Sequence, residues 1–328
     1  MRRRKFIAMV GGALAAWPLT VCAQPAQGRR RIAYLSGGNQ TAQHPLLAAF
    51  RRGMHEHGYT EGSDYFIDAL YADGRFERLP ALARELLGRN PDLLFVQSTP
   101  ANLAAKAATQ AVPIVMVGVA DPLGIGLIAN LARPGGNITG ITNIGAELAG
   151  KRLEILKEII PTASKVAVLM NPNDPITALQ INSAKAAART LAVQLEPFLE
   201  IRGESDLKGA IETAARAGVD AALRMIDPLE STMRRQTAAL AIEHRLPIMF
   251  PFREAVELGG LASYGTNLPD QFRQAAAFVH KIFNGAKPAD LPVEQPHRFE
   301  LVINIKTAKA LGISVPLILQ QRADEIVE

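Results

Sequence analysis

The sequence predicts an α/β protein made of two lobes, each built around a parallel sheet covered by helices. Short apolar runs alternate with amphipathic segments along the chain, which is the pattern of repeated strand–helix units. The apolar runs are continuous rather than alternating, as expected for strands buried on both faces. Two strands in each half of the chain also run into a polar residue and then a proline that can begin a helix. These prolines are Pro100, Pro122, Pro175 and Pro228.

The first half of the chain contains five predicted strands. They are the short apolar runs at residues 32–35, 65–71, 93–96, 114–117 and 138–142. Helices are predicted between them at 46–57, 76–86 and 101–110, because apolar residues recur there every three or four positions. The fifth strand follows a Pro-Gly-Gly-Asn sequence at 134–137, which favours a turn.

The second half repeats this plan without a close sequence repeat. Strands are predicted at 166–170, 193–199, 221–226, 248–250, 261–264 and 299–303. Helices are predicted at 149–160, 176–190, 206–217, 232–244, 268–283 and 307–311, and Gly312 ends the last of them. The Pro-rich segment 285–292 is predicted to cross between the lobes.

The first residues have the features of an export signal rather than of a folded domain. A basic start at 2–5 precedes an apolar stretch at 6–19 and a small-residue cleavage site at 21–23. The apolar stretch is too short to span a membrane. We therefore expect residues 1–23 to be removed and the mature protein to be periplasmic. Arg3 and Arg4 also fit a twin-arginine signal, so the sequence leaves open whether export is secretory or of the twin-arginine type. It also leaves open whether Cys22, the only cysteine, is modified by lipid.

The composition argues against several classes of function. The export signal contains four basic residues and no acidic one, so most of the net charge of +5 is absent from the mature chain. The mature chain therefore lacks the basic excess typical of nucleic-acid or anionic-membrane binding. No metal-ligand spacing or catalytic motif is present, and Gly124 begins only a loose match to a dinucleotide fingerprint. We expect no enzyme activity, no cofactor and no metal.

Four stretches of the sequence resemble a known family. They are 131–140 (LARPGGNITG), 151–157 (KRLEILK), 259–265 (GGLASYG) and 285–312, which includes ADLPVEQP and FELVIN. Together they resemble the ABC-transporter substrate-binding proteins of the tryptophan/tyrosine type, over nearly the whole mature chain.

This resemblance implies a periplasmic-binding-protein fold of type I, in which three hinge strands join two Rossmann-like lobes around a small ligand. Lobe one is then expected at 29–143 plus 266–285, and lobe two at 144–265 plus 286–328. The resemblance also implies delivery of the ligand to an ABC permease driven by ATPase subunits at the inner membrane. We expect a monomer without a nucleic-acid partner. The alternative is an exported ligand sensor or enzyme on the same scaffold, because a fold alone does not fix function.

Polar residues at strand ends are the candidate ligand-binding groups, because ligands bind at the carboxyl edge of parallel sheets. Ser98 and Thr99 precede a helix whose free N–H groups favour an anion, such as a ligand carboxylate. Asp121 and Asp227, one from each predicted lobe, are expected to bind a ligand ammonium group. Simple helix capping is the alternative for Thr99, Asp121 and Asp227. The cargo predicted from this pairing is an amino acid or a related small carboxylate.

Five further residues complete the candidate set. Gly38 and Asn39 follow the first strand, where a glycine lets a ligand approach the backbone and Asn39 can donate and accept hydrogen bonds. A plain loop is the alternative there. Asn143 and Asn171 each end a strand, and Tyr264 is expected to stack on a flat ligand or to lie at the hinge.

Overall fold

The computed structural model describes residues 28–328. The predicted export signal at 1–23, with Cys22, lies outside the described residues. Over the range from 28 onward, no helix is long and apolar enough to cross a membrane. The described residues form two α/β units with separate sheets, lobe one and lobe two.

Lobe one is built around a parallel sheet of five described strands. These are β1 (Arg30–Ser36), β2 (Tyr65–Tyr71), β3 (Leu93–Gln97), β4 (Ile114–Val119) and β5 (Ile138–Thr142). All neighbours pair in parallel, in the spatial order β2-β1-β3-β4-β5. The connecting helices are α1 (Gln40–Glu56), α2 (Leu79–Gly88) and α3 (Thr99–Ala108). The strands predicted for the first half of the chain are confirmed.

Lobe two is built around a larger sheet in which one pair of strands is antiparallel. The strands are β6 (Lys165–Met170), β7 (Gln194–Glu200), β8 (Ala221–Arg224), β9 (Ile248–Phe250), β10 (Ala262–Gly265), β11 (Glu300–Asn304) and β12 (Glu325–Val327). Their spatial order is β12-β11-β10-β9-β8-β6-β7, and β11 runs antiparallel to β10. The sequence did not predict β12, because three half-buried residues do not form a recognisable apolar run.

Helices cover both faces of the second sheet. They are α4 (Leu148–Ile159), α5 (Thr177–Leu191), α6 (Glu204–Arg216), α7 (Pro228–Glu243), α8 (Arg253–Glu257), α10 (Ile305–Ala310) and α11 (Leu317–Arg322). One apolar core lies under α4 and α5, and a second lies under α6, α7 and α8. This arrangement explains why the strands are continuously apolar.

The chain passes between the lobes three times. It leaves lobe one after β5, returns after β10 through α9 (Leu268–Phe283), and enters β11 after Glu294. The third passage lies later in the chain than the sequence predicts, because the segment up to Glu294 stays with lobe one rather than with lobe two. The Glu294 N–H donates to the Gly140 carbonyl over 2.9 Å, and the Glu294 carbonyl accepts from the Thr142 N–H over 3.0 Å. These bonds satisfy the otherwise free edge of β5.

Helix α9 completes the core of lobe one by packing against α1. Its Phe272 ring lies edge-on to Phe95 at 5.3 Å, and Phe50 of α1 stacks on Phe95 at 4.3 Å between ring centres. The two helices touch at Gly53, where a Cβ atom would overlap the backbone carbonyl oxygen of Arg273. The close approach of α1 and α9 therefore requires a glycine.

We expect Gly53→Ala to lower the free energy of unfolding by about 1–3 kcal/mol, because the new methyl group forces two packed helices apart. Gly209→Ala is the matched control: Gly209 lies in α6, and a Cβ atom there meets nothing within 4 Å. That control should raise stability by about 0.4–1 kcal/mol. Urea unfolding measures both variants, and equal stabilities for the two would contradict the packing described here.

Candidate functional site

A cavity of about 30 Å³ lies between the lobes, where strand ends of both sheets converge. Its volume suffices for only one or two water molecules. A larger groove of about 490 Å³ lies on the hinge side, between α9 and the segment 294–300. Two of the charged groups that line that groove, Arg273 and Asp270, pair with each other at 2.9 Å. The smaller cavity is the better candidate site, because it lies at the carboxyl edge of the sheets.

The wall contributed by lobe one offers hydrogen-bond donors. Gln43 accepts from the Tyr34 hydroxyl through Oε1 over 2.7 Å, and Gln97 accepts from the Ser36 hydroxyl through Oε1 over 2.8 Å. Each amide oxygen is therefore occupied, and each amide NH₂ is left for the cavity that both glutamines line. Sequence reasoning missed both residues, because a lone glutamine carries no motif.

Ser98 is the most unusual residue of this wall. It is 4% exposed, and its Oγ has no hydrogen-bond partner within residues 28–328. Its φ of 82° is rare for a residue with a side chain, and such strain is concentrated at functional sites. Ser98 precedes α3 without capping it through its side chain, and the Thr99 hydroxyl accepts from the Ala120 N–H over 3.4 Å instead. The capping alternative is therefore wrong for Thr99.

Asp227 lies in the wall contributed by lobe two, with its carboxylate already engaged. Its Oδ1 accepts from the Glu230 N–H over 2.9 Å and caps α7, and its Oδ2 lies 2.6 Å from Arg224 Nη1. The side chains of Asp227 and Arg224 are both buried. Asp227 thus lines the cavity and caps a helix at the same time.

Asp174 is a second carboxyl group in this wall and was missed from the sequence. It is 5% exposed and accepts from the Ile176 N–H over 3.1 Å through Oδ1. Burial and the neighbouring Asp227 raise the pKa of Asp174 to about 8. Asp174 precedes Pro175 just as Asp121 precedes Pro122, so the same signal was available in the sequence.

Glu230 and Arg234 of α7 complete the polar part of this wall. Glu230 is 1% exposed, and its burial raises the pKa of the carboxyl group. Arg234 lies 3.2 Å from Glu230 and 3.3 Å from Glu254, so it bridges two acids. Asp174 faces no paired cation of its own among the described side chains. The wall can therefore accept one more positive charge once Asp174 loses its proton.

Three of the predicted site residues lie elsewhere. Asp121 accepts from the Gly124 N–H over 2.8 Å and holds a turn; no helix begins after it, so no helix end directs it into the cleft. Asn171 accepts from the Asn173 N–H over 3.0 Å, which directs its side chain into its own turn. The Tyr264 ring packs 6.1 Å from Phe299, because β10 pairs with β11 there.

The remaining predicted residues lie at or near the cavity. Asn143 lines it and accepts from the Gly145 N–H over 2.9 Å. Asn39 caps α1 by accepting from the Ala42 N–H over 2.9 Å, and it lines an outer groove of about 490 Å³ that opens beside the cavity. A Cβ atom on Gly38 would lie 3.2 Å from Ser231 Oγ of lobe two, so Gly38 faces the opposite lobe.

Comparison with known proteins identifies the family of this chain. The model of the ABC transporter substrate binding protein family matches residues 40–327. A tyrosine-binding protein of Clostridioides difficile (strain R20291) is 27% identical over 281 residues, covering 84% of this chain and 80% of the relative.

Solved structures give the same result. A conserved domain protein from Vibrio cholerae is 27% identical with a TM-score of 0.85, covering 90% of this chain and 99% of that one. An ABC domain from Streptococcus pneumoniae in complex with L-Trp is 25% identical with a TM-score of 0.81, covering 90% and 100%. The expected fold, a type I periplasmic binding protein with two parallel-sheet lobes, is confirmed. Because the family model spans most of its length, this chain belongs to the ABC transporter substrate-binding protein family.

Proposed function

We propose that this protein is the periplasmic amino-acid-binding component of an ABC importer, which hands its ligand to a membrane permease driven by an ATPase. The observation that carries this proposal is the polarity of the cleft, in which a wall of donors on lobe one faces a wall of acids on lobe two. A zwitterion matches both walls at once. The tyrosine-binding relative and the L-Trp complex support the same class of ligand.

The ligand carboxylate is assigned to lobe one. The Ser98 hydroxyl can donate to it, since it is buried and unpartnered within the described chain. The amides of Gln43 and Gln97 supply further donors, and the N-terminal end of α3 adds a favourable dipole. A carboxylate in this position replaces the missing partner of Ser98.

The ligand ammonium group is assigned to Asp174, with Asp227 beside it. This replaces the pairing first expected from the sequence, because Asp121 lies outside the cavity and Asp227 already binds Arg224. A bound ammonium group favours the ionised form of Asp174 and so releases its proton. The apolar residues of the cavity, Leu46, Ile176, Phe252 and Leu268, suit a ligand with an apolar or aromatic side chain.

Binding must involve hinge motion, because pockets for small ligands are typically about 300–1,000 Å³ and this cavity is far smaller. We place the hinge at the three crossings, near Asn143, Gly265 and the segment 295–299. We also assign the mature N-terminus to Gln24, as expected after removal of an export signal.

Replacing Asp174 tests the ammonium site. We expect Asp174→Asn to weaken binding of L-tyrosine or L-tryptophan in calorimetry by about 2–5 kcal/mol, because a buried charge pair loses one partner. Asp121→Asn is the matched control and should bind like the parent protein, since Asp121 only holds a turn. Equal affinities for the two variants would exclude Asp174 from the site.

The raised pKa of Asp174 predicts a pH dependence of both binding and stability. Ligand binding should tighten as pH rises from 6 towards about 8 and should release a proton, because the free protein keeps Asp174 protonated below about pH 8. Without ligand, the free energy of unfolding should fall as pH rises from about 4 towards 8, because the folded state binds this proton more tightly than the unfolded state. Asp174→Asn should reduce both slopes and leave the part of the stability slope that comes from the raised pKa of Glu230. Titration calorimetry and urea unfolding measure the two slopes.

Closure should be visible in solution. We expect saturation with a bound amino acid to reduce the radius of gyration in small-angle scattering, because hinge proteins of this shape close on their ligands. D-Enantiomers of the same amino acids serve as a control for buffer and solute effects. A radius unchanged by a ligand that calorimetry shows to bind would contradict the hinge mechanism.

A further inference from the structure

Beside the ligand cavity, the start of α7 in lobe two fits into a recess of lobe one that we call the glycine notch. The notch consists of Gly37 and Gly38 after β1 and Gly74 after β2. The Gly74 N–H donates to the Gly37 carbonyl over 2.8 Å, and the Asp73 N–H donates to the Gly38 carbonyl over 3.1 Å. These bonds lie within lobe one and join the two loops that form the notch.

Leu229 occupies the notch. A Cβ atom built on Gly74 would overlap Leu229 Cδ2, and one built on Gly37 would lie 2.8 Å from Pro228 Cγ. Leu229 is only 5% exposed. The absence of side chains from the notch is therefore what allows the first turn of α7 to reach lobe one.

Leu229 does not line the ligand cavity, although its neighbours Pro228 and Glu230 do. The part of its side chain that faces Gly74 is covered only while the two lobes are together. Covering apolar surface is favourable in proportion to the area removed from water. Leu229 thus favours the closed arrangement without needing a ligand.

We propose that Leu229 is a closure latch that sets ligand affinity from outside the binding cavity. The affinity of a hinge protein depends on how much of its population can adopt the closed arrangement, so a residue that favours closure tightens binding without touching ligand. This inference rests on the proposed function for its effect on affinity. Its effect on closure does not depend on the identity of the ligand.

The decisive variant is Gly74→Ala, which fills the notch and leaves Leu229 and the ligand cavity unchanged. We expect it to lower the closed population and to weaken binding of L-tryptophan by about tenfold. Adding Leu229→Ala should restore closure and affinity only in part, because the smaller side chain removes the overlap but also the apolar surface that favours closure. Gly62→Ala is the matched control: Gly62 has a φ of 88°, near the 77° of Gly74, and a Cβ atom there meets nothing within 4 Å.

Two measurements separate the latch from the proposed function. The distance between two spin labels, one on each lobe, reports closure without any ligand. Cys22 in the expected export signal is the only native cysteine, so engineered cysteines in the mature chain can be labelled specifically. Calorimetry with L-tryptophan reports affinity. A shift in the distance distribution in Gly74→Ala, absent from Gly62→Ala and partly reversed in the double variant, supports the latch even if L-tryptophan does not bind.

Three results would overturn the latch. Gly74→Ala could keep the distance distribution of the parent protein, the double variant could be as open as Gly74→Ala or as closed as the parent protein, or Gly62→Ala could open the lobes as much as Gly74→Ala. The last result would mean that substitution at a positive φ acts through the stability of lobe one rather than through contact with Leu229. Failure of L-tryptophan to bind any variant would count against the proposed ligand class alone.

Discussion

The junction between β8 and α7 is the constraint on which the cleft depends. Arg224 at the end of β8 lies 2.6 Å from Asp227, and its Nη1 also donates to the Met225 carbonyl over 3.0 Å. Gln180 holds Ile226 on both sides, donating to its carbonyl over 2.8 Å and accepting from its N–H over 2.7 Å. These bonds hold the backbone in place between β8 and α7. Every group that α7 presents to the cavity or to lobe one takes its position from this junction.

The same junction places a buried ion pair, Arg224 and Asp227, beside the proposed ligand site. Removing a partner from such a pair is costly, because the other charge is left buried and uncompensated. Arg224 therefore holds Asp227 in place as a helix cap, while Asp174, which has no such partner in the described chain, takes up a proton. Two neighbouring carboxyl groups thus differ: one is fixed by an arginine and a helix end, and the other has a raised pKa.

The fold was predictable because continuous apolar runs identify strands covered on both faces, and the few errors have local causes. The strand β12 is too short and too exposed to stand out, and the segment before β11 stays with lobe one because it satisfies the edge of β5. The site was predictable only in part. Ser98, Thr99, Asn143 and Asp227 line the cavity, as their position at strand ends suggested.

The predicted site residues that lie outside the cavity show that the sequence at a strand end does not by itself identify a cavity-lining residue. Asp121 and Asp174 have the same sequence signal, an acid before proline, yet only Asp174 enters the cavity. The two junctions differ because the chain forms a helix soon after Pro175 but a loop after Pro122. Gln43 on α1 and Gln97 on β3 are oriented by hydroxyl groups of another element, the strand β1. Such partners become apparent only once the strands are placed side by side.

The position of α9 has a consequence for the order in which the protein can fold. Lobe one buries Phe272 and the rest of the apolar face of α9 in its core, although this helix follows lobe two along the chain. Lobe two in turn needs β11 and β12 from the C-terminal end. During synthesis lobe one therefore cannot complete its core until α9 has emerged from the ribosome, and lobe two cannot complete its sheet until β11 and β12 have emerged. The elements from α4 to β10 are thus made while lobe one is still unfinished.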